Sequence, residues 1–172
     1  MAAADVARSA TARRTSAGRS AAALILVLAS CLAVGGLAAS ATARGVRDWY
    51  PALAKPSWTP PDAVFAPVWT VLYVMMAVAA WQVWREAGHS GRGAALALFA
   101  IQLALDCAWS FFFFGMRSVG GGLADIVLLL AAIIATVLAF RRVRPPAALL
   151  LLPYLAWVGY ATALNVAIWR MN

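Results

Sequence analysis

Gln102, Asp106 and Trp109 follow one another at i, i+4 and i+7, with Ser110 alongside, so any helix that contains them carries an amide, a carboxylate and an indole N–H on one face. The stretch around them is apolar, and an ionisable group in mid-span is costly unless it is paired, wet or neutralised. Two chemistries fit such a face: a hydrogen-bonding site for a ligand, or a single interhelical hydrogen bond to Gln, Ser or backbone. Ala100, Ala104 and Ala108 line nearly the opposite face with small-xxx-small spacing, which suits close packing on a neighbouring helix or a second copy of the chain. Two more stripes have helical spacing: Trp69, Tyr73 and Met76, and Trp157, Ala161 and Asn165. Aromatic stripes serve a core as readily as a ligand wall; the chemistry they add is stacking on a flat apolar molecule. Covalent and metal chemistry have no candidates. The sequence lacks a Ser/His/Asp grouping, C-x-x-C, H-E-x-x-H and a Gly-rich phosphate loop, and its one histidine, His89, sits alone in "REAGHSGRG". Catalytic and metal residues are therefore expected to be none.

The elements that must carry these side chains follow from composition. Of 172 residues, 65% are hydrophobic and 12% charged, and the mean hydropathy is +0.83. Soluble domains are about half apolar and a quarter charged, so the surplus needs a non-aqueous solvent. Five apolar runs lie at about 21–43, 63–84, 94–115, 121–140 and 147–169, each near the roughly 20 residues that cross the hydrocarbon. The expected fold is all-α: an integral membrane bundle of five transmembrane helices over 21–172, preceded by a disordered basic tail over 1–20. Cys31 and Cys107 lie inside apolar runs and read as small buried hydrophobes.

The net charge of +8 does not point to nucleic acid, because its distribution is that of a topology signal. With the N-terminus inside, the inner segments hold Arg8, Arg13, Arg14, Arg19, Arg85, Arg92, Arg141, Arg142 and Arg144. The outer ones hold Arg44, Arg47, Lys55, Arg117 and Arg170. The positive-inside rule then favours N-in, C-out. The Ala/Arg-rich composition suggests a bacterial cell-envelope membrane, with the N-terminus cytoplasmic.

The segment "WYPALAKPSWTPPDAVFAPVWT", residues 49–70, concentrates five of the eight prolines and three of the eight tryptophans. Proline stops a helix by lacking an N–H and by restricting the residue before it. A long irregular stretch next to a membrane has to lie at the interface or cap a cavity. Residues 44–62 are thus expected to form a lid loop, with Trp49, Tyr50 and Trp58 either anchoring the interface or closing the site. Asp62 is the expected N-cap of the second helix.

"WYPALAKPSWTPP" with "PVWTVLY", "QLALDCAWSFFFFG", "LADIVLLLAA" and "PYLAWVGYATALNVAIWRMN" run in order along nearly the whole chain after the tail. In these the sequence resembles the tryptophan-rich sensory protein/translocator protein (TspO/MBR) family, once called the peripheral benzodiazepine receptor. The resemblance implies a five-helix bundle, often a homodimer, with a pocket beneath the first loop that binds porphyrins such as protoporphyrin IX or heme, and in some members sterols and benzodiazepine-type drugs. It implies a receptor or translocator with a sensory or stress-regulatory role and no required cofactor. Light-dependent porphyrin degradation through tryptophan chemistry at Trp69 and Trp157 is the enzymatic alternative, and a ligand-gated regulatory partner protein the other. The expected ligand-binding set is Trp49, Tyr50, Trp58, Trp69, Tyr73, Gln102, Asp106, Trp109, Trp157 and Ala161, with Ala100, Ala104 and Ala108 as dimer face. Arg44, Arg47 and Lys55 are candidates to hold propionates at the mouth. The sequence departs from the family pattern at Asp106-Cys107, where Asn and a large residue are usual. It departs again at Val166, where the vertebrate sterol motif has a tyrosine.

Overall fold

A computed structural model describes residues 2–172, the side chains of residues 2–16 and of Arg44 excepted. It is built from helices: α1 (Ala2–Asp48), α2 (Asp62–Arg85), α3 (Arg92–Ser110), α4 (Val119–Val143), α5 (Pro145–Leu150) and α6 (Leu152–Met171). A 3-10 turn, Tyr50–Ala52, follows α1, and a π-helical turn, Phe111–Gly115, extends α3. Five stretches are long and apolar enough to cross a membrane: Ala17–Asp48, Asp62–Arg85, Arg92–Gly115, Val119–Val143 and Pro145–Met171. Large apolar side chains such as Leu26, Val71, Leu128, Leu138 and Leu149 stand exposed on the outside of the bundle, the surface a hydrocarbon solvent requires. This is an integral membrane bundle of the expected class.

Proline sets the breaks in the first loop and in the last span. α1 runs past the last purely apolar residue to Asp48, because Arg44, Arg47 and Asp48 tolerate helix, and it yields only before Pro51. Pro61, extended at φ −58 and ψ 140, occupies the cap position of α2, so Asp62 sits one residue inside the helix rather than capping it. There its carboxylate still complements the helix dipole. The fifth span is two helices rather than one. Pro153 has no N–H to give to Leu149, and the ladder is interrupted at Leu151, whose N–H bonds Ala148 O at 3.1 Å. Four consecutive phenylalanines end α3 in a wider turn, with Met116 N–H donating to Phe111 O at 2.7 Å. Ser118 then caps α4, its Oγ accepting from Gly121 N–H at 3.1 Å.

The expected tail over 1–20 falls mainly on residues whose side chains lie outside the described set. Residues 17–20 run without a break into α1, where Ser20 O accepts from Trp81 Nε1 at 2.9 Å. α3 packs along α4, α1 along α2, and α4 against α6. The main core, with Met76, Val83, Leu129, Ile133, Phe140 and Tyr154 nearly or wholly inaccessible, lies between these pairs. Asp125 is buried on α4, and its Oδ2 has no hydrogen-bond partner among the described residues. Among the described residues the salt bridge is Arg144 to Glu86, 3.3 Å apart at the end of the bundle away from the first loop.

Candidate functional site

Between α1, α2, α3 and α6, below the first loop, lies a cavity of about 560 Å³, within the usual range for small-molecule sites. α1 contributes a thin wall of Gly35, Gly36, Ala38, Ala39 and Ala43. Small side chains there leave room beside the helix. α2 contributes Phe65, Trp69 and Tyr73, the α3 segment Asp106, Trp109, Phe113 and Phe114, and α6 Ala161, Leu164, Asn165 and Ile168.

The polar centre is Asp106, 3% exposed. Tyr73 Oη donates to its Oδ2 at 2.5 Å and Tyr154 Oη to its Oδ1 at 3.4 Å, so phenols from α2 and α6 meet a carboxylate from α3. Trp69 packs on both phenol rings, at 5.6 Å from Tyr73 and 6.2 Å from Tyr154. Trp109 stacks on Phe113 at 5.2 Å and donates Nε1–H to Asn165 Oδ1 at 3.2 Å, while Asn165 Nδ2 donates to Val119 O at 3.1 Å. The aromatic walls are therefore fixed by hydrogen bonds that cross between helices.

Of the expected residues, Tyr50, Trp69, Tyr73, Asp106, Trp109 and Ala161 line the cavity. Trp157 does not. It borders a smaller adjoining void of about 20 Å³, shared with Phe65, Trp69, Asp106, Trp109 and Ala161. Phe65, which lines the cavity, packs edge-on against Trp157 at 5.8 Å. Gln102, one turn below Asp106, is buried against Met76 with its Nε2 4.0 Å from Sδ, and its Oε1 has no partner. Trp49 packs on Phe113 at 5.5 Å, and Trp58 on Tyr160 at 5.5 Å; neither lines the cavity. Spacing along a helix places residues on a face but does not set how far along the helix the cavity reaches, which is why Gln102 and Trp157 fall outside it. Asn165 went unassigned although it continues the Trp157–Ala161 stripe by one i+4 step.

At the loop end, Arg47 and Asp62 reach the cavity. Lys55 is engaged elsewhere: its Nζ donates to Tyr50 O at 2.7 Å, Leu53 O at 3.3 Å and Pro51 O at 3.4 Å, and sits 4.6 Å from the Tyr50 ring centre. The side chain of Arg44 lies outside the described residues. Tyr50 is buried, and burial first, then the nearby Asp62 and Tyr160, pushes its phenol up to about 12, keeping it neutral. Ala100 and Ala104 are exposed and Ala108 half-buried, so this face of α3 is unpartnered among the described residues.

The fold and site together define a polytopic membrane protein built around one apolar, aromatic cavity under a proline-stiffened loop. Residues 24–170 match the TspO/MBR family, and the chain belongs to it. It is 46% identical over 153 residues to the tryptophan-rich protein TspO of Chlorobaculum tepidum, covering 87% of this chain and 95% of the relative. It is 46% identical over 131 residues to the human translocator protein, covering 75% and 77%. It is 41% identical over 125 residues to the tryptophan-rich sensory protein of Cereibacter sphaeroides, covering 73% and 77%.

Proposed function

We propose that the chain is a membrane receptor or translocator that holds a porphyrin such as protoporphyrin IX or heme in the cavity below the first loop, in a sensory or stress-regulatory role. The observation that carries this reading is the cavity itself: about 560 Å³ of mostly apolar space with Trp69 on one wall and Trp109 on another. Indole walls suit a flat macrocycle by offset stacking and edge contacts. Arg47, at the loop end of the cavity, is the cation available for a propionate among the described residues, and a guanidinium holds carboxylates by paired hydrogen bonds. The names of the relatives, translocator and sensory protein, favour a binding role over an enzymatic one. The reading requires no cofactor. It takes the exposed small-residue face, Ala100 and Ala104 with Ala108, as the contact between two copies in a homodimer.

The test is a dark titration of the detergent-solubilised protein with protoporphyrin IX, followed in the porphyrin absorption band. Saturable binding that weakens tenfold or more in Trp69→Ala and Arg47→Ala is expected. Non-saturable partitioning equal to that of empty micelles overturns the reading. Illumination of the same samples separates the alternative: porphyrin loss that requires both Trp69 and Trp157 assigns a light-dependent degrading enzyme instead.

A further inference from the structure

The cavity has an acidic floor with no cation beside it among the described residues. Asp106 sits fourteen residues into α3, roughly 21 Å from its start, at the middle of the span. It borders both the main cavity and the adjoining small void. The groups that meet its oxygens are Tyr73 and Tyr154, one on each. Phenols donate hydrogen bonds but bring no positive charge. Of the described residues lining the cavity, Arg47 alone is cationic. Gly35 fixes how far away it is. A Cβ on Gly35 would lie 2.6 Å from the Tyr73 ring, so that part of α1 is level with the phenol that Asp106 holds. Arg47 is twelve residues further along the same helix, roughly 18 Å by helical rise.

We propose that Asp106 makes this cavity selective for a flat, apolar ligand that carries a protonated nitrogen, the nitrogen resting on the carboxylate at the floor. A carboxylate held in a low-dielectric span is poorly placed without a counter-charge, and breaking a buried pair is strongly destabilising because of the charge left behind. A cationic ligand supplies the missing partner, while a neutral one of the same shape leaves it missing. The surroundings suit the rest of such a molecule. Trp69, Tyr73 and Trp109 present aromatic rings around the floor, and ring faces attract a cation as well as stack on a flat system. Two phenols from different helices hold the carboxylate in one orientation, so it does not turn away from the cavity when the ligand leaves. An asparagine in its place keeps the shape and offers both donor and acceptor but has no preference for charge. This inference rests on the reading of the cavity as a ligand site and goes beyond the porphyrin reading, because protoporphyrin IX at neutral pH carries propionates and no cationic ring nitrogen to pair with the floor.

The experiment compares two isosteric three-ring probes on wild type and Asp106→Asn in a neutral maltoside detergent at pH 7.5. The probes are 9-aminoacridine, cationic at that pH, and acridine, neutral there; each is titrated by fluorescence and corrected with empty micelles. Protoporphyrin IX is titrated in parallel on both proteins. Wild type is expected to bind 9-aminoacridine at least tenfold more tightly than acridine. In Asp106→Asn the preference is expected to fall to within about twofold, whatever the absolute affinity for acridine, and a thermal unfolding midpoint within a few degrees of wild type shows that the variant is folded. Equal affinities of the two probes for wild type overturn the proposal without recourse to any variant. So does a preference that survives in Asp106→Asn. If protoporphyrin IX binds and neither acridine does, charge selectivity fails and the tetrapyrrole reading stands. If nothing binds, both fall.

Discussion

Gly35 and Gly36 are neighbours on the cavity side of α1, yet a methyl group meets different fates on them. A Cβ on Gly35 would sit 2.6 Å from Tyr73 Cε2 and 2.8 Å from Cδ2, while on Gly36 it would meet nothing within 4 Å. Tyr73 is 5% exposed and tied to Asp106, so its ring has little freedom to retreat. Overpacking of that kind costs about 1–3 kcal/mol. Gly35→Ala is therefore expected to lower the thermal unfolding midpoint in detergent by several degrees and to weaken porphyrin binding by displacing Tyr73. Gly36→Ala is expected to leave the midpoint unchanged or slightly raised, because alanine is the better helix former. Equal midpoints for the two variants would mean that the Gly35–Tyr73 contact does not constrain the site. The sequence marks both glycines alike as partners in small-xxx-small spacings. Only the neighbouring helix distinguishes them, since the ring that fills the space beside Gly35 comes from a residue 38 positions away. The Asp106 cluster was legible to the same depth. Its place on a polar face of α3 follows from spacing, whereas Tyr154 as its second donor does not, because nothing local to Tyr154 points to α3.

The first loop owes its form to its prolines and its fastening to residues elsewhere. Lys55 gathers three carbonyls of the preceding turn. The amide of Asn172 makes a two-way bridge to the loop: Ala54 N–H donates to Oδ1 and Nδ2 donates to Ala54 O, both at 3.0 Å. Tyr160 Oη donates to Trp58 O at 2.6 Å. α6 thus holds the loop at two places, Asn172 at its end on the middle of the loop and Tyr160 near its own middle on the far limb. A loop rich in Pro and Trp was readable as a lid; its latch was not, because Asn172 and Ala54 are 118 residues apart and an amide beyond a helix end has no distinguishing local pattern. Asn172→Ala removes two loop hydrogen bonds, each worth about 1 kcal/mol net. Hydrogen exchange at the Ala54 amide is expected to quicken at least fivefold, and porphyrin dissociation to quicken with it, while the global unfolding midpoint stays put. Unchanged exchange at Ala54 would show that Lys55 and Tyr160 hold the loop without the C-terminal amide.

At the scale of the whole molecule, the hydropathy runs and the helices agree in number and order but not in extent. The first apolar run ends near residue 43, yet the helix continues to Asp48. Hydropathy measures where the hydrocarbon ends, while helix termination is a backbone event that waits for Pro51. The opposite mismatch occurs in the last span, where unbroken apolarity hides the interruption at Leu151. The π turn in "FFFFG" was equally hidden. Four identical side chains carry no pattern to say that Phe113 turns inward while Phe111 and Phe112 stay exposed. Charge completes what hydropathy leaves open, namely which end faces which side. Arg85, Arg92, Arg141, Arg142 and Arg144 cluster at the ends where α2 stops, α3 starts and α4 meets α5, opposite the end that holds Arg47, in the last turn of α1, and Lys55 in the loop. Short loops rich in arginine resist translocation, so the arginine-rich end is expected to face the cytoplasm and the cavity loop the other side. Alkaline phosphatase fused after Asn172 is then expected to be active and green fluorescent protein at the same position dark in a bacterial host. Fusions within the short loop between α2 and α3, after Gly88, are expected to give the reverse. The opposite pattern at both positions would invert the molecule and make its ligand enter from the cytoplasm.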